Sequence, residues 1–157
     1  MVKTQAMRIL DSKKISYEVL SYPDSEKDAE RIAYILDLSP AQVFKTLVVV
    51  RPQSKPLLVM IPADKKLDLK KVAKVVGEKK VKMASHHEAE KLTGLHVGGI
   101  SALALINQRF LPYLDRRALE KNKIFVSAGK RGYQVGLKPG DLLSLTNAKV
   151  IDAVAGK

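Results

Sequence analysis

Val43-Phe-Lys-Thr-Leu-Val-Val-Val-Arg51 and Leu57-Leu-Val-Met-Ile-Pro62, separated by a Pro/Ser turn, are the stretches that decide how this chain folds. Both are rich in β-branched and large apolar residues and have the length of strands, so they predict a β-hairpin. Upstream, Lys3 to Lys13 carries Ala6, Met7 and Leu10 at helical spacing. Ile15 to Tyr22 alternates like a strand and is stopped by Pro23. Ser25-Glu-Lys-Asp28 opens a helix with Ala29, Ile32, Ala33 and Leu36 on its buried side, and Ser39-Pro40 starts a short helical turn.

Downstream, Asp68 is placed to cap a helix that Gly77 stops, with an apolar stripe of Leu69, Val72 and Val76. Ser85-His-His-Glu88 has the spacing of a capping box, and Gly94 closes the helix that follows. Four strand-like pieces come next, at Val97 to Leu105, Phe110 to Leu114, Ile124 to Ser127 and Tyr133 to Leu137. A helix from Pro139 to Leu145 and a strand near Val150 complete the pattern. Strands and helices mix without a regular βαβ repeat, which predicts an α+β fold. No linker, repeat or low-complexity tract divides residues 1–157, so they read as one domain.

The hydrophobic fraction of 46% with 28% charged residues is that of a globular chain. With no cysteine there is no disulfide, no Cys-zinc site and no cysteine nucleophile, a composition that suits a reducing cytosol. The longest apolar run is too short to span a bilayer, and the start lacks the apolar region of a signal peptide. The expected location is cytoplasmic, with no membrane partner.

Charge is the first functional hint. Twenty-eight Lys and Arg against sixteen Asp and Glu give a net +12. Half of it lies between Lys65 and Lys82, where eight lysines face only Asp68 and Glu78. A patch of this kind attracts polyanions such as RNA. It reads equally as a solvated, heat-resistant surface.

The common catalytic motifs are missing: there is no nucleophile elbow, P-loop or dinucleotide fingerprint. His86-His87-Glu88 does not place two histidines four apart on a helix, so no metal is expected. His96 reads as a structural residue or a general base. Lys45 stands in an otherwise apolar strand, where it needs a partner or a route to water. Gly98-Gly99 permits backbone N–H groups to converge on an anion, or simply a bulge. Ser127-Ala-Gly-Lys-Arg-Gly132 is a phosphate-binding turn or a solvated hairpin tip.

Together these pieces resemble a family. Lys14-Ile-Ser-Tyr17, Lys45-Thr-Leu-Val48, Leu67 to Lys74, Gly98-Gly-Ile-Ser101, Ser127 to Gly132 and Gly140-Asp-Leu142 agree in type and spacing with the YbaK-type Cys-tRNA(Pro) deacylases. These belong to the YbaK/prolyl-tRNA synthetase editing-domain superfamily. The resemblance implies a compact domain with a mixed, mostly antiparallel, barrel-like sheet and peripheral helices. It implies removal of cysteine mischarged onto tRNA(Pro), alongside prolyl-tRNA synthetase and without a cofactor, the substrate's own thiol attacking the ester.

On the same resemblance, Lys45 orients the aminoacyl-adenosine end and the Gly98 and Gly99 amides hold the ester. Tyr22, Thr46, Ile100 and Ser101 line the site, and Gly129, Lys130, Arg131 and Gly132 lie near the 3′ end. Lys66, Lys70, Lys71 and Lys74 meet the tRNA backbone. Three departures bear on the amino acid accepted: Ala102 replaces a proline, Gln134 replaces an acid found in some relatives, and the Tyr22–Lys45 loop is short with no aromatic pocket residue. The alternatives are a deacylase for Ala-tRNA(Pro) or another small amino acid, and a non-catalytic RNA-binding module.

Overall fold

The computed structural model describes residues 3–106 and 108–156. Its elements run α1 (Gln5–Ser12), β1 (Glu18–Ser21), α2 (Ala29–Ile35), β2 (Phe44–Val50), β3 (Leu57–Pro62), α3 (Leu69–Val76) and β4 (Lys82–Met83). They continue through α4 (His86–Thr93), β5 (Leu111–Asp115), a 3₁₀ turn (Arg116–Glu120), β6 (Ile124–Ser127), β7 (Tyr133–Leu137), α5 (Pro139–Thr146) and β8 (Lys149–Ile151). The fold is α+β, as the mixed pattern predicts.

The strands form a three-stranded sheet in the order β1-β7-β6 and a five-stranded sheet in the order β4-β2-β3-β5-β8. β2 and β3 make the expected hairpin, with Lys45 opposite Ile61 and Val48 opposite Leu58. The β3–β5 and β5–β8 pairs are parallel and the others antiparallel. A parallel bridge between Val43 and Phe125 joins the two sheets, so the layer curves like a barrel wall without closing.

β3 is buried at every position, which is why its sequence is apolar without alternation. Leu58 and Met60 enter the larger core, with Met7 and Leu10 of α1, Phe44, Val48 and Leu114. Leu57, Val59 and Ile61 turn to a second core, closed by Val72 and Ala73 of α3. Both expected cap pairs are present. Asp68 accepts the Lys70 and Lys71 N–H groups and Ser85 accepts that of Glu88, while Gly77 and Gly94 end their helices in the left-handed conformation.

Ser39-Pro40 does open the expected turn, closed by the Gln42 N–H on the Ser39 carbonyl. Three expectations are corrected. Val97 to Leu105 is a run of turns and coil, not a strand; Ile100, Ala102, Leu103 and Leu105 are buried in the larger core through turns. The second helix starts after Asp28, with no side-chain cap from the Ser25 segment. The first strand is only Glu18–Ser21.

Candidate active site

The site opens beside the edge of β2. β4 pairs with β2 only at Val49 and Val50, and the Ala84 N–H reaches the Val48 carbonyl at 3.0 Å. Backbone groups in a strand alternate sides with period two, so the Thr46 N–H and C=O point the same way as those of Val48. Among the described residues no strand pairs with them there. A cavity of about 330 Å³ fills the gap, within the range that small-ligand sites occupy. Its lining includes Lys45 and Thr46 of β2, Lys27 and Asp28 ahead of α2, Gly98 and Ile100, with Ser127 and Gln134 from the other sheet.

Lys45 is half-buried, and its Nζ donates to the Ala63 carbonyl at 3.1 Å. No carboxylate pairs with it among the described residues. One carbonyl leaves the remaining ammonium protons for a ligand oxygen. Thr46 Oγ1 and Gln134 Oε1 are buried without a hydrogen-bond partner. Leaving such a group unsatisfied costs roughly 1–3 kcal/mol. Gln134 was visible in the sequence only as a departure from a pattern; burial makes it a site residue.

The glycine turn divides two spaces. Gly98 faces the main cavity, whereas Gly99 faces a second one of about 410 Å³ lined also by Asp24, His96, Gly129, Lys130 and Arg131. Neither glycine has room for a side chain. A Cβ on Gly98 would lie 2.6 Å from that of Lys27, and one on Gly99 would lie 2.9 Å from the Arg131 backbone nitrogen. The two amides are not equivalent. The Gly99 N–H donates to the His96 carbonyl at 2.7 Å, so it is already committed. The Gly98 N–H donates to no acceptor among the described residues.

Other expected residues take different places. Ser101 is buried and caps a turn, its Oγ accepting the Ala104 N–H at 3.3 Å; it does not line the main cavity. Tyr22 is buried outside the lining, its hydroxyl unpartnered and its N–H on the Gly132 carbonyl. Gly129, Lys130 and Arg131 gather at the second cavity, and Gly132 shapes the turn at φ +101°. Lys66, Lys70 and Lys74 are exposed. Lys71 is not free: its Nζ donates to Asp152 Oδ2 at 3.1 Å and to the Val154 carbonyl at 2.8 Å. That lysine ties α3 to the segment after β8, and the Lys71 hydrogen bond holds the Asp152 carboxyl below its ordinary pKa. Nothing in the sequence marked Lys27 or Asp28 as site residues, and Ser127, noted only as the first residue of the Gly-rich turn, lines the main cavity and not the second one.

Comparison with known proteins bears on the same residues. The family model of the aminoacyl-tRNA editing domain matches residues 24–145, a span that holds both cavities. In Enterococcus faecalis (strain ATCC 700802 / V583), the "Putative Cys-tRNA(Pro)/Cys-tRNA(Cys) deacylase EbsC" is 41% identical over 149 residues, covering 94% of this chain and 90% of that protein. The solved structure of "hypothetical protein APE2540" superposes with a TM-score of 0.88 at 25% identity, covering 96% of this chain and 99% of the other. That of "a putative trans-editing enzyme for prolyl tRNA synthetase" gives 0.83 at 26% identity, covering 99% and 100%. With the family model matching residues 24–145 and a 41% identical relative covering 94% of the sequence, this chain belongs to the aminoacyl-tRNA editing domain family.

Proposed function

We propose that this protein is a trans-editing deacylase that clears cysteine from mischarged tRNA(Pro), with residues 1–157 acting as one editing unit. The observation that carries the reading is the cavity beside β2. Lys45, Thr46, Gly98 and Gln134 line it, Lys45 Nζ is held by one carbonyl, the Gly98 N–H has no acceptor among the described residues, and no lining side chain is set up as a nucleophile. Ser127, the one lining serine, already accepts the Gly129 N–H at 3.1 Å. The protein therefore supplies orientation, which contributes on the order of 7–11 kcal/mol when a substrate reacts with itself.

The substrate thiol attacks its own ester carbonyl. A C–S bond forms, the C–O bond to the ribose breaks, and the thiol proton passes to the departing ribose oxygen. The first product is a cyclic thiolactone, which water opens to cysteine. The Gly98 N–H faces the developing oxyanion, and Lys45 holds the aminoacyl-adenosine. The 3′-terminal nucleotide occupies the second cavity beside Lys130, and the tRNA backbone lies toward Lys66, Lys70 and Lys74. Prolyl-tRNA synthetase is the partner the family likeness favours.

Purified protein is assayed on tRNA(Pro) charged with cysteine, serine or alanine. Cysteine should leave far faster than serine, a weaker nucleophile of nearly the same shape. Lys45→Ala should abolish turnover with the fold intact. Equal rates for Cys and Ser would overturn the thiol mechanism. Preference for Ala would make the protein an alanine deacylase, and binding without turnover an RNA-binding module.

A further inference from the structure

Two side chains of opposite charge grip the peptide groups of Val97 from outside the cavity. Glu90, on α4, accepts the Val97 N–H at Oε2, 2.7 Å away. Arg131, on the β6–β7 turn, donates from Nε to the Val97 carbonyl at 2.5 Å. That carbonyl belongs to the same planar unit as the Gly98 N–H, and in a trans peptide the two point in opposite directions. No cis peptide is present among the described residues. Fixing the carbonyl toward Arg131 therefore fixes the Gly98 N–H on the opposite side, away from Arg131. The guanidinium also polarises the unit, since a hydrogen bond accepted at C=O strengthens the donor at N–H. The Glu90 carboxylate, held below its ordinary pKa chiefly by the Val97 hydrogen bond, anchors the preceding peptide.

Gly98 cannot hold this orientation itself: its φ is +91°, in the region that glycine enters freely. Arg131 spends its Nε on this carbonyl and keeps the four N–H groups of its terminal nitrogens for other acceptors.

We infer that Arg131 and Glu90 are positioning residues that clamp the Val97 peptides and so aim and polarise the Gly98 N–H as the hydrogen-bond donor to the ester carbonyl. The inference rests on the deacylase reading for its catalytic consequence, but the clamp itself has a readout independent of turnover.

The test combines kinetics with amide NMR on Arg131→Ala, Glu90→Ala and Glu90→Gln. In Arg131→Ala the Val97 carbonyl carbon and the Gly98 amide nitrogen should shift, and kcat on Cys-tRNA(Pro) should fall on the order of a hundredfold. KM for the tRNA should change less than twofold. Glu90→Ala should lower kcat with faster exchange of the Val97 amide, and Glu90→Gln, which still offers an acceptor oxygen, should recover most of that loss. If Arg131→Ala fails to fold, the Glu90 pair decides. An unchanged kcat with a raised KM and a flatter salt dependence would make Arg131 a phosphate contact and overturn the inference. If the wild type is inactive on every charged tRNA, the deacylase reading falls. The clamp is then judged by a non-hydrolysable aminoacyl-adenosine amide, which should move the Gly98 amide resonance in wild type and not in Arg131→Ala. The same movement in both would refute it.

Discussion

Gly98→Ala tests whether the turn between the two cavities is set by close packing. The new Cβ would sit 2.6 Å from the Lys27 Cβ and 2.9 Å from its Cα. Carbon atoms pack best at about 3.5–4.0 Å, so the turn or the Lys27 backbone must yield by roughly 1 Å. Overpacking of this kind costs about 1–3 kcal/mol. The positive φ adds roughly 1–2 kcal/mol for a residue with a Cβ. The sum, about 2–5 kcal/mol, is read by urea unfolding. Gly94 provides the control, because its φ is +73° and an added methyl group would meet nothing within 4 Å. Gly94→Ala should cost only the conformational part, about 1–2 kcal/mol. A 1 Å displacement of the Gly98 N–H should also lower kcat on the order of a hundredfold, measured by release of cysteine from tRNA(Pro). The reasoning fails if Gly98→Ala is as stable as Gly94→Ala and turns over like wild type.

Lys70→Gln with Lys74→Gln should flatten the salt dependence of tRNA binding by a slope of up to about two, at unchanged stability. Lys71→Gln should instead lower the unfolding midpoint, because it releases Asp152 and the Val154 carbonyl. Gln134→Leu removes a buried acceptor without a partner. Stability should hold or rise by about 1 kcal/mol while kcat/KM falls; a clear loss of stability would mean that Gln134 is structural. The Asp152 carboxyl is held low first by the Lys71 hydrogen bond and then by Arg117, so the unfolded chain takes up its proton more readily. Its contribution is complete above the ordinary carboxyl range near pH 4 and is lost as pH falls through the folded value. Asp152→Asn should therefore show a flatter loss of stability in acid, measured by thermal unfolding at pH 2–6.

Local physics wrote much of this molecule into its sequence. The β2–β3 hairpin, the strands Ile124–Ser127 and Tyr133–Leu137, the Asp68 and Ser85 caps and the stops at Gly77 and Gly94 depend on residues within a few positions of one another. Lys45 stood out because a charge in an apolar strand needs an explanation. Val97 to Leu105 was misleading for the same reason: apolar spacing reports burial, and turns bury Leu103 as fully as a strand would. Tertiary structure alone decided the rest. It set β5 parallel to β3, joined the sheets through Val43 and Phe125, and brought Gln134 and Thr46 into the lining of one cavity. It consumed Lys71 in a contact 81 residues away and the Gly99 amide in a turn. It also placed Arg131 on a carbonyl 34 residues distant, where it can aim the neighbouring N–H. Propensity and periodicity are properties of neighbours along the chain, whereas a hydrogen bond between distant segments exists only once the core has fixed both of them in space.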